Sequence, residues 1–237
     1  MPQIFNLQRL VLAIATFAVI ALGSATASAD TVTFSTAAGA TNSTGQPVSA
    51  SVTFTVSPSG TLTITLTNTL VNPTSVGQNI SDLSFQAGTL TGTLTGSSGS
   101  LINVAANGTF SSAGTANPTG WALASSGGSF HLTVLGTSTA PARTIIGAPG
   151  AGGIYSNANA SIAGNGPHNP FLNQTATFTL SIPGLTSVTQ LSNISFSFGT
   201  TPGDNVPVTG APEPATMLLL GTGLLGVAGV ARRRYRK

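Results

Sequence analysis

Apolar and polar residues alternate along several short stretches in the middle of the chain. The segment V-T-F-T-V (52–56) places its apolar side chains on one face and its threonines on the other, and L-T-I-T-L (62–66) repeats the pattern. A period of two is typical of half-buried β-strands, and threonine suits the solvent face because it is both polar and β-branched. The residues S-P-S-G (57–60) between the two stretches have the composition of a hairpin turn.

The same alternation recurs further along the chain. It is found in F-H-L-T-V (130–134), A-T-F-T-L-S-I (176–182) and I-S-F-S-F (194–198). No stretch between these segments has the period of an amphipathic helix. Many short alternating strands favour an all-β fold, and we predict an antiparallel β-sandwich over residues 30–199, with either a jelly-roll or an immunoglobulin-like topology.

Two segments interrupt the strand pattern. Residues 146–170 are rich in glycine, asparagine and proline and are predicted to form a long loop; long loops in compact domains are often functional or disordered. Residues 200–211 contain two prolines and are predicted to be a semi-rigid linker.

Charge is concentrated at the two ends of the chain. Only 5% of the 237 residues are charged, although the pI is near 10.2. Between residues 30 and 211 the charged side chains are Asp30, Asp82, Asp204 and Arg143, a net charge of −2. Phosphate binding requires several basic side chains on one face, so this distribution excludes a nucleic-acid partner.

The first 29 residues have the features of a secretory signal peptide. Arg9 precedes an apolar run at 10–22, and Ala27 and Ala29 occupy the small-residue positions of an A-x-A cleavage site. We expect signal peptidase to cut after Ala29; an uncleaved membrane anchor is the alternative. The chain has no cysteine, and a body of about 180 residues is large enough to fold without disulfides.

The C-terminal end has the features of a membrane anchor. Residues 215–231 contain no charge, and as a helix they would span roughly 25 Å, near the short end for a bilayer. A basic tail follows at once, as the positive-inside rule expects of a cytoplasmic flank. The tail consists of Arg232, Arg233, Arg234, Arg236 and Lys237. We therefore predict an exported domain flanked by an N-terminal signal helix and a C-terminal transmembrane helix.

The order of these C-terminal parts resembles a known signal. Pro212, Glu213 and Pro214, followed by the apolar helix and the basic tail (together 212–237), resemble the PEP-CTERM sorting signal of Gram-negative bacteria. The resemblance implies recognition of the Pro-Glu-Pro motif by an exosortase, a membrane-embedded cysteine peptidase, and a transient inner-membrane anchor. It also implies a destination at the cell surface or in an exopolysaccharide matrix. A permanent C-terminal anchor is the alternative.

The exported body offers few groups for chemistry. Its histidines are His131 and His168, and it has neither a cysteine nor a G-x-S-x-G motif. The alternation around His131 places it on the face opposite Phe130 and Leu132, which favours a solvent-facing residue over a general base. No metal-ligand spacing occurs. We predict a non-enzymatic protein with no catalytic, cofactor-binding or metal-binding residues.

Glycan binding is the main alternative to a purely structural role. Trp121 lies in the loop-like stretch N-P-T-G-W, and Tyr155 lies among the asparagines of the long loop. Aromatic faces beside asparagine side chains are common in sugar sites, so these two residues are the candidate glycan-binding residues. We expect a structural or adhesive role in exopolysaccharide or biofilm. The alternatives are a carbohydrate-binding module and, third, a secreted hydrolase.

Overall fold

The computed structural model describes residues 29–203 and 205–209. The predicted signal helix, with Ala27, and the predicted anchor (215–231), with the Pro-Glu-Pro motif and the basic tail, lie outside the described residues. Within the described part of the chain, no helix combines the length and the apolar character that crossing a membrane requires.

Twelve strands and two single-turn 3-10 helices form the regular structure of the described residues. The 3-10 turns are Val76–Gln78 and Val188–Gln190. The strands are β1 (Asp30–Thr36), β2 (Ala50–Val56), β3 (Thr61–Asn68), β4 (Ile80–Ala87), β5 (Thr93–Val104), β6 (Phe110–Ala116), β7 (Ala122–Ser126), β8 (Ser129–Thr133), β9 (Ile145–Ile146), β10 (Phe171–Ser181), β11 (Leu191–Phe198) and β12 (Asn205–Thr209).

The strands form a single sheet that closes on itself. Neighbouring strands follow the order β6-β5-β10-β3-β2-β1-β12-β11-β4-β8-β7, and β9 pairs with both β10 and β4. Eight strands, from β10 through β3, β2, β1, β12, β11 and β4 to β9, therefore make a closed barrel. The β5-β6 pair extends from β10, and the β8-β7 pair extends from β4.

The prediction of a β-sandwich is therefore wrong. Ile145 of β9 pairs with Leu172 of β10 on one side and with Ile80 of β4 on the other, which links β10 to β4 and closes the ring of strands. Strand β9 has only two residues and lies where the chain shows no alternation, so no local pattern indicated it. Alternation shows which side chains face inward, whereas closure of the ring depends on pairing between strands that are distant in the sequence.

The apolar side chains of the alternating strands fill the barrel. Phe54 of β2 lies opposite Ile64 of β3, and both are fully buried. The ring of Phe54 meets Phe85 edge-on at 5.4 Å, and Phe85 stacks on Phe130 at 4.8 Å. Burial of each such side chain contributes about 1.5–3 kcal/mol. The hairpin between β2 and β3 turns at Gly60 (φ +78°), where a Cβ would lie 2.9 Å from the carbonyl oxygen of Ile182.

The barrel includes part of the segment that was predicted to be a linker. Strand β12 lies within residues 200–211 and pairs with β1 on one side and with β11 on the other. Its sequence N-V-P-V-T alternates, with Val206 buried and Val208 half-buried. The prolines of this segment led to the prediction of a linker, because proline is normally depleted in strands.

The long loop at 146–170 packs on the outside of the barrel. Tyr155 and Ile162 from this loop form a second apolar cluster with residues of β5 and β10. The hydroxyl oxygen of Ser161 accepts a hydrogen bond from the backbone N–H of Val76 at 2.9 Å. The loop is therefore an ordered part of the fold, with its own small core.

Candidate functional site

Threonine side chains cover the outer face of four adjacent strands. We call this surface the hydroxyl face. It consists of Thr31 and Thr33 of β1, Thr53 and Thr55 of β2, Thr63, Thr65 and Thr67 of β3, and Thr175, Thr177 and Thr179 of β10. Each is partly or fully exposed, while the alternate residues of β2, β3 and β10 in this region are buried.

The strand register aligns these threonines in rows across the sheet. In one row Thr33 is opposite Thr53, Thr53 is opposite Thr65, and Thr65 is opposite Thr177. Neighbours in a row are about 4.8 Å apart, and successive rows are about 6.8 Å apart along each strand. The sequence showed that each strand carries threonines, but only the pairing shows that they form one array.

Some hydroxyls of the face bond to one another. Thr33 and Thr53 are joined by a hydrogen bond of 2.8 Å between their Oγ1 atoms, and Thr67 and Thr175 by one of 3.1 Å. A hydroxyl that donates to its neighbour still has an acceptor lone pair available. The face therefore presents a regular set of neutral hydrogen-bonding groups to solvent.

No charged side chain belongs to the hydroxyl face. The charged residues of the described part of the chain are Asp30, Asp82 and Arg143. Asp30, at the start of β1, accepts hydrogen bonds from the hydroxyl of Ser187 at 2.7 Å and from the backbone N–H of Val188 at 2.9 Å. Ionic attraction therefore contributes little to any partner that this face binds.

A polar cleft of about 300 Å³ lies at one end of the barrel, beside the turn between β11 and β12. Its lining includes Asn42, Gln46, Gly77 and Phe198. The Asn42 amide donates to the carbonyl oxygen of Gly77 at 2.8 Å, and its oxygen accepts from the Gln46 N–H at 2.8 Å. Phe198 is 2% exposed and offers no stacking surface. The polar groups of this cleft therefore mainly hold the loop between β1 and β2 to the Val76–Gln78 turn.

One carboxylate is buried beside a histidine on the outer side of β4. Nε2 of His131 contacts Oδ2 of Asp82, and the Ser84 hydroxyl donates to Oδ1 of the same carboxylate at 3.3 Å. His131 is half-exposed and its neighbours on β8 are buried, as the alternation predicted. The serine and the histidine both bond to the aspartate. This arrangement differs from a catalytic triad, in which the histidine contacts the serine.

Burial dominates the protonation of this aspartate. It raises the pKa of the Asp82 carboxyl above its ordinary value of 3.8, while His131 and the hydroxyls of Thr133 and Ser84 oppose the shift. The sequence did not indicate this pair, since the two residues are 49 positions apart and β4–β8 pairing brings them together. The pair holds β8 against β4.

The two candidate glycan-binding residues lie in the interior. Trp121 is 4% exposed, its ring packs on Phe178 at a centroid distance of 5.2 Å, and its indole N–H donates to the carbonyl oxygen of Arg143 at 2.9 Å. Tyr155 is 1% exposed and its hydroxyl donates to the carbonyl oxygen of Gly147 at 3.0 Å. Burial raises the pKa of Tyr155. Neither ring presents a face to solvent on which a sugar could stack.

The second histidine also has a local structural contact. Nδ1 of His168 lies 2.6 Å from the carbonyl oxygen of Ser161, within the long loop. Nowhere in residues 29–203 and 205–209 do three or more His, Cys, Asp or Glu side chains lie close enough to hold a metal ion.

The fold and the surface thus define a class: an all-β, nearly uncharged domain with a hydroxyl-rich exterior. The comparison with protein families then identifies the segment that follows it. A family model described as the PEP-CTERM protein-sorting motif matches residues 211–234, which confirms the resemblance of the C-terminal segment. No curated protein and no solved structure matches the chain.

This match establishes that the protein carries a sorting signal. The motif is the signal of an exported protein that is anchored transiently in the membrane and processed by an exosortase. Pro212, Glu213 and Pro214 fall inside the matched segment, as do Arg232, Arg233 and Arg234.

Proposed function

We propose that this protein is a structural or adhesive component of the cell surface or of the exopolysaccharide matrix, and that the hydroxyl face binds neutral polysaccharide. The supporting observation is the alignment of ten threonines in rows over four strands, with no charge among them. A sorting signal that leads out of the cell supplies the context.

The chemistry of the face fits a neutral, hydroxyl-rich polymer. Each exposed hydrogen bond contributes only about 0.5–1.5 kcal/mol, so one sugar unit would bind weakly. A polymer can engage several rows at once, and the second and later contacts then form at high effective concentration. The absence of charge on the face makes this binding insensitive to salt, in contrast to ionic adhesion.

The experiment removes hydroxyls without changing the shape of the strand. Thr53, Thr65 and Thr177 form one row, and we would replace all three by valine, which is also β-branched and favours strands. The measurement is the retention of the mature protein on matrix polysaccharide purified from its native host, at low and at high salt. We expect at least a fivefold loss of retention for the triple variant, with little effect of salt on the wild type.

The matched control makes the same replacement away from the hydroxyl face. Thr89, Thr91 and Thr115 are exposed and lie outside it, so their conversion to valine should leave retention unchanged. Circular dichroism spectra of both variants report whether the fold is intact. Equal retention of the wild type and of the Thr53, Thr65 and Thr177 variant would contradict the proposal.

We also propose that the protein is not an enzyme. It is supported by the geometry at Asp82, where both the Ser84 hydroxyl and His131 turn to the carboxylate, so that no base is directed at the serine oxygen. Because Trp121 and Tyr155 are buried, the threonine array is the surface proposed to bind glycan.

A further inference from the structure

Strand β7 has a neighbour on one side only. It lies at one end of the strand order and, among the described strands, pairs with β8 alone. The turn between the two strands is formed by Gly127 and Gly128, both with positive φ (+55° and +87°), and it sets Ser126 opposite Ser129. The other edge of β7, which is 5 residues long, is therefore open.

Hydrogen bonds at the two ends of β8 show which backbone groups of that strand face β7. The backbone N–H of Ala87 donates to the carbonyl oxygen of Gly128 at 2.9 Å, and that of Val134 donates to the carbonyl oxygen of Ser81 at 3.1 Å. Residues 128 and 134 therefore bond to the β4 side. Because successive residues of a strand direct their backbone groups to opposite sides, residues 129, 131 and 133 bond to β7.

The open edge of β7 therefore carries the backbone groups of Leu123 and Ser125. Residues 122, 124 and 126 lie opposite 133, 131 and 129 and direct their N–H and C=O groups to β8. Within residues 29–203 and 205–209, no group bonds to the backbone N–H or C=O of Leu123 or Ser125. Four strong hydrogen-bonding groups thus lie free along this edge.

This edge also lacks the features that usually keep strand edges apart, which are charged side chains, prolines and bulges. The sequence A-L-A-S-S has no charge and no proline, and its pairing with β8 is regular. The edge of β6, in contrast, is interrupted by a register shift at Leu101 and Ile102 of β5. The partly open edge of β1 begins at Asp30, which is already bonded to Ser187.

The side chains of β7 leave room for another strand. Ala122, Ala124 and Ser126 are small and exposed. Leu123 packs against the core but is only half-buried, whereas Leu132 opposite it on β8 is completely buried. A strand placed beside β7 would complete the covering of Leu123.

We propose that this strand is β7 of a second copy of the chain, in antiparallel pairing about a two-fold axis at Ala124. In this register Leu123 of each copy lies opposite Ser125 of the other, and each such pair exchanges both backbone hydrogen bonds. The two-fold axis repeats the pair. All four free backbone groups of each β7 are then bonded.

The arrangement of the edge favours a second copy over a different partner. The free groups at residues 123 and 125 are placed symmetrically about residue 124, so the edge is complementary to itself. The two Ala124 residues form a pair without mutual hydrogen bonds, in which the Cα atoms are about 4.5 Å apart, and small side chains suit this approach. The charged residues of the described part are two acids and one base, a net charge of −1, so repulsion between copies is weak.

Pairing through β7 gives the assembly two hydroxyl faces. A polymer that contacts both gains from the high effective concentration of the second face. The dimer goes beyond the proposed polysaccharide binding and does not depend on it, because the open edge and the hydroxyl face lie on different strands.

The first test places one cysteine in the full chain, which has none of its own. Ala124→Cys puts the two thiols of a dimer in direct opposition across the two-fold axis. Ala122→Cys and Ser126→Cys are matched controls on the same exposed edge. Each control residue is four positions from its symmetry mate along the pairing, about 13 Å, which is too far for a disulfide.

The three variants are expressed in the native host, oxidised with copper phenanthroline, and analysed by non-reducing electrophoresis of membranes and medium together. We expect at least about tenfold more disulfide-linked dimer from Ala124→Cys than from either control, because a disulfide needs Cα atoms within about 7 Å. Equal crosslinking of all three variants, or none in any, would overturn the proposal. An introduced thiol at position 124 that neither crosslinks nor reacts with a maleimide would show that a different segment covers the edge, and would also overturn it.

The second test measures the equilibrium without a covalent trap. Sedimentation velocity over a concentration series follows the purified wild type, Ala124→Lys and Ala122→Lys. The contact is small, so we expect a weak, concentration-dependent dimer for the wild type. Ala124→Lys brings two like charges together at the axis and should raise the dimer Kd at least about tenfold. Ala122→Lys, with its charges well apart, should change it by less than about threefold. A wild type that stays monomeric at every concentration, or two lysine variants with the same Kd, would contradict pairing through β7.

Discussion

Replacing Trp121 with alanine distinguishes an interior residue from a ligand-binding one. The side chain is 4% exposed, packs on Phe178 at 5.2 Å and donates a hydrogen bond of 2.9 Å to the carbonyl oxygen of Arg143. Alanine removes the ring and the bond together. Phenylalanine keeps an aromatic ring against Phe178 and removes the bond.

These contacts set the size of the expected effect. Truncation of a buried tryptophan to alanine costs about 3–5 kcal/mol, since it removes apolar contacts and leaves a cavity. The indole hydrogen bond contributes about 1 kcal/mol of that. We therefore expect Trp121→Ala to lower the free energy of unfolding by about 3–5 kcal/mol and Trp121→Phe by about 1–2 kcal/mol.

Urea unfolding of the mature protein at 25 °C measures both changes. With a denaturant slope near 2 kcal/mol/M, the alanine variant should unfold at a urea concentration lower by about 1.5–2.5 M. Unfolding of the wild type, Trp121→Ala and Trp121→Phe is followed by far-UV circular dichroism. Trp121 is the only tryptophan of the chain, so the emission spectrum of the wild type reports on this one site and should be that of a buried indole, resistant to quenching by acrylamide.

Two results would contradict an interior role for Trp121. One is an alanine variant whose free energy of unfolding falls by less than about 1 kcal/mol, the range of ordinary surface substitutions. The other is a wild-type emission spectrum that shifts when matrix polysaccharide is added, because a buried indole has no access to a sugar. Either result would return Trp121 to the set of ligand-binding residues.

Three further predictions concern a turn, a titration and processing. In urea titrations, Gly128→Ala should lower the free energy of unfolding by about 3 kcal/mol or more, because φ is +87° and the added Cβ would collide with the backbone carbonyl of Gly88. Gly127→Ala is the control: φ is +55° and the added Cβ would lie in open space, so the free energy of unfolding should fall by only about 1 kcal/mol. The raised pKa of Asp82 means that the folded state binds the proton more tightly than the unfolded state, so stability contributed by this group falls as pH rises from 3.8 through the folded-state pKa. Asp82→Asn should flatten that slope in unfolding experiments between pH 3 and 7, and an unchanged slope would contradict the assignment. Intact-mass analysis of protein recovered from the native host's medium should give a chain that begins at Asp30 and ends within residues 212–214; a chain that retains the basic tail and is found only in membranes would contradict transient anchoring.

Local sequence patterns are enough to predict which side chains face the interior. In V-T-F-T-V and L-T-I-T-L the alternation separates valine, leucine and phenylalanine from threonine, and the strands β2 and β3 bury the apolar set. This succeeds because the period of a strand is a local property of the backbone. The sorting signal is equally local, since its motif, apolar run and basic tail are contiguous in the chain.

The identity of neighbouring strands follows only from long-range pairing. Thr67 and Thr175 are 108 positions apart, yet their hydroxyls are 3.1 Å apart because β3 pairs with β10. The closure of the barrel depends in the same way on two isoleucines of β9, at Ile145 and Ile146, which no periodicity distinguishes.

Long-range packing also controls which aromatic and ionisable groups are available for binding. Trp121 and Tyr155 lie in segments whose composition indicated surface loops, but packing against β10 and against the carbonyl oxygen of Gly147 buries them. Asp82 and His131 meet only through the β4–β8 pairing. Local patterns specify the two faces of each strand, whereas the set of groups that share a surface depends on pairing between strands that are distant in the sequence, which no local pattern encodes.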